Sequence, residues 1–243
     1  MRSWISFGII AMLLLLAPST SAAFDQKRKG LILGFGVGPS VTSFTQDFSH
    51  DFGEATSNRE TKFGVSTDFK VGWGLTEQLL VYYIAQIAWF RHDDVFLYDD
   101  PSTDFKDFYW VAQGFDPTNT ASPDPEHLGE PATKSAWLTS GVGGLGVTYY
   151  LGDTSPWYVM GAFGFSAWTA PFENDDWLVP FLNSSQTWFG YGFILGGGYE
   201  LFRNWSIEAN AMWGNPSEKG ERGGFQVNTD TMSFQILFAG LLY

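Results

Sequence analysis

The residues best able to do chemistry are few and unevenly placed. Three histidines, His50, His92 and His127, occur in the sequence and no cysteine, which excludes disulfides and thiolate metal sites. His92 directly precedes Asp93 and Asp94, and a histidine beside carboxylates is a set that can take a divalent cation or move a proton. The histidines share no metal-ligand spacing, so no metal site and no catalytic residue is assigned. The glycine runs "GFGVG" and "GVGGLG" lack the strand-to-helix setting of a phosphate loop, and no cofactor is expected. A second set of polar residues, Asp68, Lys70, Gln86, Glu200, Glu208 and Asn210, falls inside otherwise apolar alternating stretches. A charge placed there needs a partner, and the spacing predicts Lys70 against Glu208 or Asp68.

Only strands can position these side chains. In "KFGVSTDFKVGWGL", Phe63, Val65, Phe69, Val71, Trp73 and Leu75 oppose Gly64, Ser66, Asp68, Lys70, Gly72 and Gly74, a period of two. Seven further segments read likewise: "GLILGFGVG", "LLVYYIAQIAWFRH", "AWLTSGVGGLGVTYYL", "WYVMGAFGFSAW", the pair around "GYGFILGGGYELFRNWSIEANAMWG", and "TMSFQILFAGLLY". Short links near Glu77, Asp153 and Arg203 follow even-numbered strands, and longer ones follow odd-numbered strands. This alternation predicts an all-β fold, an eight-stranded antiparallel up-and-down transmembrane β-barrel with short periplasmic turns and longer extracellular loops. A soluble sandwich has no need of alternating loop lengths.

The outward face carries a lipid-facing girdle of Phe63, Trp73, Phe189, Tyr199, Trp205 and Trp213. Phe63 to Trp73 and Phe189 to Tyr199 each span ten residues, roughly 33 Å of strand. At the tilt of such barrels this projects to roughly 25 Å, the height of the apolar band. Ile207 is expected to face lipid in the middle of that band. The polar set named above, with Tyr82, Ile84, Met160, Trp188 and Ile194, becomes the set of lumen candidates. Eight strands leave a lumen that side chains fill, so a packed polar network is expected, with a narrow channel or small apolar pocket as the alternative.

Residues 1–23 read as a signal peptide, with Arg2, an apolar stretch and small residues Ser21 and Ala23 at the cut. Residues 24–243 read as a single barrel domain. Its long extracellular loop, about residues 93–134, is rich in Asp, Glu and Pro, and within it "STDFKDFYWVAQG" suits a short helix or an added hairpin. The net charge of −13, carried mostly by loops, argues against nucleic acid and offers an extracellular ligand or divalent cation a surface. Arg91, outward at the top of its strand, is placed to meet lipid headgroup phosphates.

The hairpins "VGWGLTEQLLVYY" and "GGGYELFRNWSIEANAMW" resemble the strand, polar turn, strand units of the OmpA-like and opacity-protein family of outer-membrane barrels, and the sequence ends on an aromatic, Tyr243. The resemblance implies the outer membrane of a Gram-negative-type bacterium, contact with its lipid and lipopolysaccharide, and an assembly signal at Tyr243 read by the outer-membrane assembly machinery. The last strand departs from the pattern. Leu237, Ala239 and Leu241 alternate as the family requires, but Met232, Phe234, Ile236 and Phe238 look lipid-facing, and a bulge near Gly240 is expected to reconcile them. The leading functional expectation is a structural or surface-interaction role, adhesin-like or envelope-anchoring. A small porin or carrier of apolar solutes is one alternative. A lipopolysaccharide-modifying enzyme is another, although no histidine follows His127 to complete the deacylase pattern and nothing positions His50.

Overall fold

A membrane-spanning strand must satisfy its backbone N–H and C=O groups without water, which a sheet achieves by closing on itself. The computed structural model shows that closure. It describes residues 28–50, 53–92, 95–98, 108–110, 131–132, 136–152, 155–170, 186–219 and 226–243. Twelve strands run in order: β1 (Gly30–His50), β2 (Gly53–Thr56), β3 (Glu60–Gly74), β4 (Leu79–His92), β5 (Val95–Tyr98), β6 (Phe108–Trp110), β7 (Pro131–Ala132), β8 (Ala136–Tyr150), β9 (Trp157–Ala170), β10 (Gln186–Phe202), β11 (Trp205–Lys219) and β12 (Gln226–Leu242). Eight of them, β1, β3, β4 and β8 to β12, pair in sequence order, and β12 pairs with β1 to close an all-antiparallel barrel. The short β2 extends the edge of β1, while β5, β6 and β7 form a small separate sheet. Residues 1–23 and most of the acidic loop lie outside the described residues.

Tight turns set the lower rim. Between β3 and β4, the Thr76 hydroxyl accepts the Gln78 and Leu79 amides at 3.2 and 3.0 Å, a polar turn of the kind threonine favours. Between β10 and β11, Asn204 takes a positive φ of 67°, a conformation asparagine tolerates well. Its side chain donates to the Leu241 carbonyl at 2.6 Å, tying this turn to β12.

The exterior is apolar throughout the band. Phe63 is 83% exposed and Leu145 72%, values no aqueous protein sustains around its whole circumference. Trp73, Phe189 and Tyr199 are exposed too; Trp205 stacks on Phe238 with centroids 4.9 Å apart, and Trp213 packs on Phe193 at 5.2 Å. Glycines admit large inward tyrosines: a Cβ on Gly146 would lie 2.5 Å from the Tyr82 ring, and one on Gly198 would lie 2.4 Å from that of Tyr158.

Three expectations need correction. The first strand does not end near Gly38 but continues to His50, and β11 and β12 reach equally far past Trp213 and above Thr231. Above the lipid most residues of β1 are polar, with Ser40, Thr42 and Gln46 beside Phe44 inside and Ser43, Thr45 and Asp47 outside, so apolar alternation gives little sign of this stretch. No bulge occurs at Gly240, because β12 keeps one register with both neighbours. Phe234, Ile236, Phe238 and Leu242 face lipid, while Leu237, Ala239 and Tyr243 are buried inside. The register shift instead lies at Glu200 and Phe202. Ile207, two residues from Trp205 and the turn, sits near the rim and not in the middle of the band. Phe108–Trp110 pairs with Phe96–Tyr98, which makes that part of the long loop a hairpin and not a helix.

Leu145 lies between Trp137 and Tyr149 on one outward face. Leu145→Arg is therefore expected to cost about 2 to 4 kcal/mol, and Ile207→Arg about 0 to 1 kcal/mol, in urea titrations of the protein refolded in lipid vesicles. Equal losses at the two positions would contradict this placement of the band.

Candidate functional site: the barrel interior

The inward residues stack in layers, and the main side-chain ties in them cross the lumen between strands that are not neighbours around the wall. At the centre, the Lys70 ammonium on β3 lies 2.6 and 2.7 Å from the two Glu208 carboxylate oxygens on β11 and 3.0 Å from Asp68 Oδ2. All three residues are buried. In a low-dielectric interior such a cluster stands only if hydrogen bonds complete it. Tyr158 donates to Glu208 at 2.9 Å, and the Asn210 amide reaches its other oxygen at 3.3 Å. Tyr82, beside Lys70, shares a 2.8 Å hydrogen bond with Thr148.

One step toward the outside, Gln86 on β4 and Gln235 on β12 meet across the lumen, and Ser66 donates to the same Gln235 oxygen at 2.7 Å. Hydroxyl pairs follow, Thr42 with Ser233 at 2.8 Å and Ser140 with Thr231 at 3.1 Å. Aromatic rings then close the lumen. Phe44, Phe90 and Trp168 pack with centroids 5.1 to 5.7 Å apart, and Trp168 and Trp188 are fully buried. His92 is buried against Phe44, and its Nε2 lies 2.9 Å from Glu60 Oε2, which Lys62 also approaches at 3.0 Å.

At the turn rim a second ionic cluster stands apart from the first. Glu200 on β10 receives the Arg28 guanidinium on one oxygen and the Tyr243 hydroxyl, at 2.8 Å, on the other. Arg28 also covers the Tyr150 ring at 3.6 Å and donates to the Ser155 carbonyl at 3.1 Å. Burial, with Glu200 beside it, pushes the Tyr243 phenol up to about 12, so it remains a donor throughout the neutral range. Between the two clusters lies a small polar space of about 320 Å³, open mouth included, lined among others by Lys70, Tyr82, Tyr150, Tyr158, Glu200 and Glu208.

Of the residues singled out from the sequence, Asp68, Lys70, Gln86, Glu208 and Asn210 gather in the central layers, whereas Glu200 belongs to the rim. The sequence reading missed Arg28, which precedes the first strand and carries no periodicity. It also left Tyr150 without a face. The inward turn of Tyr243 follows from counting the even-numbered lipid face of β12 one residue further. Among the described residues no cluster of three or more His, Asp or Glu is arranged to hold a metal ion. His92 faces Glu60, while the side chains of His50, Asp93, Asp94 and His127 lie outside the described residues.

No family model matches the chain, and no curated protein matches it. Among solved structures, the outer membrane protein OprG from Pseudomonas aeruginosa overlays with a TM-score of 0.49 at 15% identity, over 90% of this chain and 99% of that one. Ail, the attachment invasion locus protein of Yersinia pestis, gives 0.35 at 9% identity over 84% and 99%. The outer membrane protease OmpT from Escherichia coli gives 0.38 at 7% identity over 93% and 100%. Likenesses this distant say nothing of role, and the barrel stands on its own strand pairing.

Lys70→Met leaves two buried carboxylates facing each other and is expected to cost about 3 to 5 kcal/mol. The triple change Lys70→Met, Asp68→Asn and Glu208→Gln removes the uncompensated charge and is expected to recover most of that loss. Urea midpoints of the parent and both variants decide the matter, and a triple variant no more stable than the single one would rule out the charge imbalance as its cause.

Proposed function

We propose that this outer-membrane barrel does not conduct and that its work is done at the cell surface, in envelope anchoring or adhesion. The observation that carries this reading is the filled lumen. A solute entering from outside meets the Phe44, Phe90 and Trp168 rings, then the hydroxyl and glutamine layers, then the Lys70 cluster. Hydrogen bonds or ring contacts cross the lumen in each layer, and opening a path would break them, at about 1 to 3 kcal/mol for each buried polar group left unpaired.

The surfaces left for interaction are the exterior and the loops. Exposed Arg91 at the top of β4 suits the phosphates of lipopolysaccharide, and the acidic loop suits a divalent cation or a basic extracellular ligand. The terminal strand, with its lipid face of Phe234, Ile236, Phe238 and Leu242 and with Tyr243, is the segment proposed to be read during assembly.

Planar-bilayer recordings of the refolded protein test the reading, with heat-modifiable gel migration confirming that it has folded. A folded, electrically silent barrel is expected. Discrete, reproducible unitary openings in the parent protein would make transport the function and overturn the proposal.

A further inference from the structure

We infer that Glu200 is a closure latch, a single carboxylate that ties the first and last strands of the barrel together at the turn rim through a third strand. Of the eight strand pairs around the barrel, seven are joined by a turn or loop, and only β1 with β12 must be brought together from opposite ends of the sequence. Such a pair forms against the largest loop-closure cost and has no turn to hold its register.

The seam ladder is long but interrupted. Pairing runs from Leu33 with Leu242 to Val37 with Phe238, lapses at Gly38 and Pro39, and resumes at Ser40 with Gln235. Proline has no N–H to donate, so the lapse is built into the sequence. Toward the turn rim, Gly30, Leu31 and Ile32 pair with Gly74, Trp73 and Gly72 of β3, but among the described residues they have no partner on β12.

At that step the latch takes over. Arg28, two residues before β1, and Tyr243, one residue after β12, reach the two oxygens of Glu200, which belongs to neither seam strand. Charge-assisted bonds of this kind are about twice as strong as neutral ones. Arg28 is held in turn by the Ser155 carbonyl, by the Tyr150 ring and, through its amide, by Glu77 at 3.1 Å. Both ends of the seam are thereby fixed to parts of the wall that local turns already stabilise.

Amide hydrogen exchange of the refolded protein, read by mass spectrometry, tests this directly. In Glu200→Gln, exchange of seam peptides spanning 30–41 and 233–242 is expected to rise at least tenfold, while peptides of the β8–β9 hairpin keep the parent rate. Tyr243→Phe should raise the β12 peptide alone, roughly threefold, and reversing the pair as Arg28→Glu with Glu200→Arg should return the β1 peptide toward the parent. A seam that exchanges at the parent rate in Glu200→Gln overturns the inference, and so does an equal rise in every strand, which marks a general loss of stability. Should Glu200→Gln fail to refold, Tyr243→Phe and Arg28→Gln carry the same comparison of seam with hairpin.

Discussion

Backbone hydrogen bonding in a medium without water is the constraint on which everything else here depends. A strand crossing hydrocarbon cannot leave an edge unpaired, so the sheet closes, and closing it with eight strands fixes an interior only wide enough for side chains. The wall and the lumen are therefore two results of one requirement. Period-two alternation sends Phe63, Leu145 and Ile236 outward and Asp68, Tyr82 and Gln235 inward, and a slip of one residue would put charge in lipid.

The interior solves a second problem, that of keeping polar groups inside a protein that lipid surrounds. Its solution is local pairing in layers instead of a continuous water column. Lys70 bridges β3 to β11, the glutamines bridge β4 to β12, and Glu200 gathers Arg28 and Tyr243 from the two ends of the sequence. Each of these ties joins strands that are not neighbours in the wall. The side chains thus act as cross-braces, resisting flattening of a cylinder whose backbone ladder constrains only adjacent strands. Aromatic rings do the same work near the outer mouth by packing alone.

Where lipid meets the protein, the sequence is easy to read, because one face must be apolar and the other has room for polar groups. Strand count, the short-turn rim and the inward positions of Lys70 and Glu208 all follow from that contrast. It fades above the membrane, where Ser40, Ser43, Thr45 and Gln46 alternate polar with polar, and the upper third of β1 leaves little trace in the pattern. The aromatic Met232-to-Phe238 face and the Leu237-to-Leu241 face of the last strand competed for the same signal. Tertiary pairing decides between them, since only one register lets β12 meet both β1 and β11. Arg28 was invisible for another reason, as a residue outside every element whose role depends on three turns folding around it.

The unequal strands have a consequence for how this barrel meets its surroundings. β1 and β4 start from the same rim, yet β1 has 21 residues and β4 has 14. At strand rise and tilt, that difference lifts one side of the wall by roughly 17 Å. The longest staves are β1, with 21 residues, and β10 and β12, with 17 each, whereas the long acidic segment joins β4 to β8, of 14 and 15 residues. Among the described residues, the wall therefore rises higher at β1 than at β4.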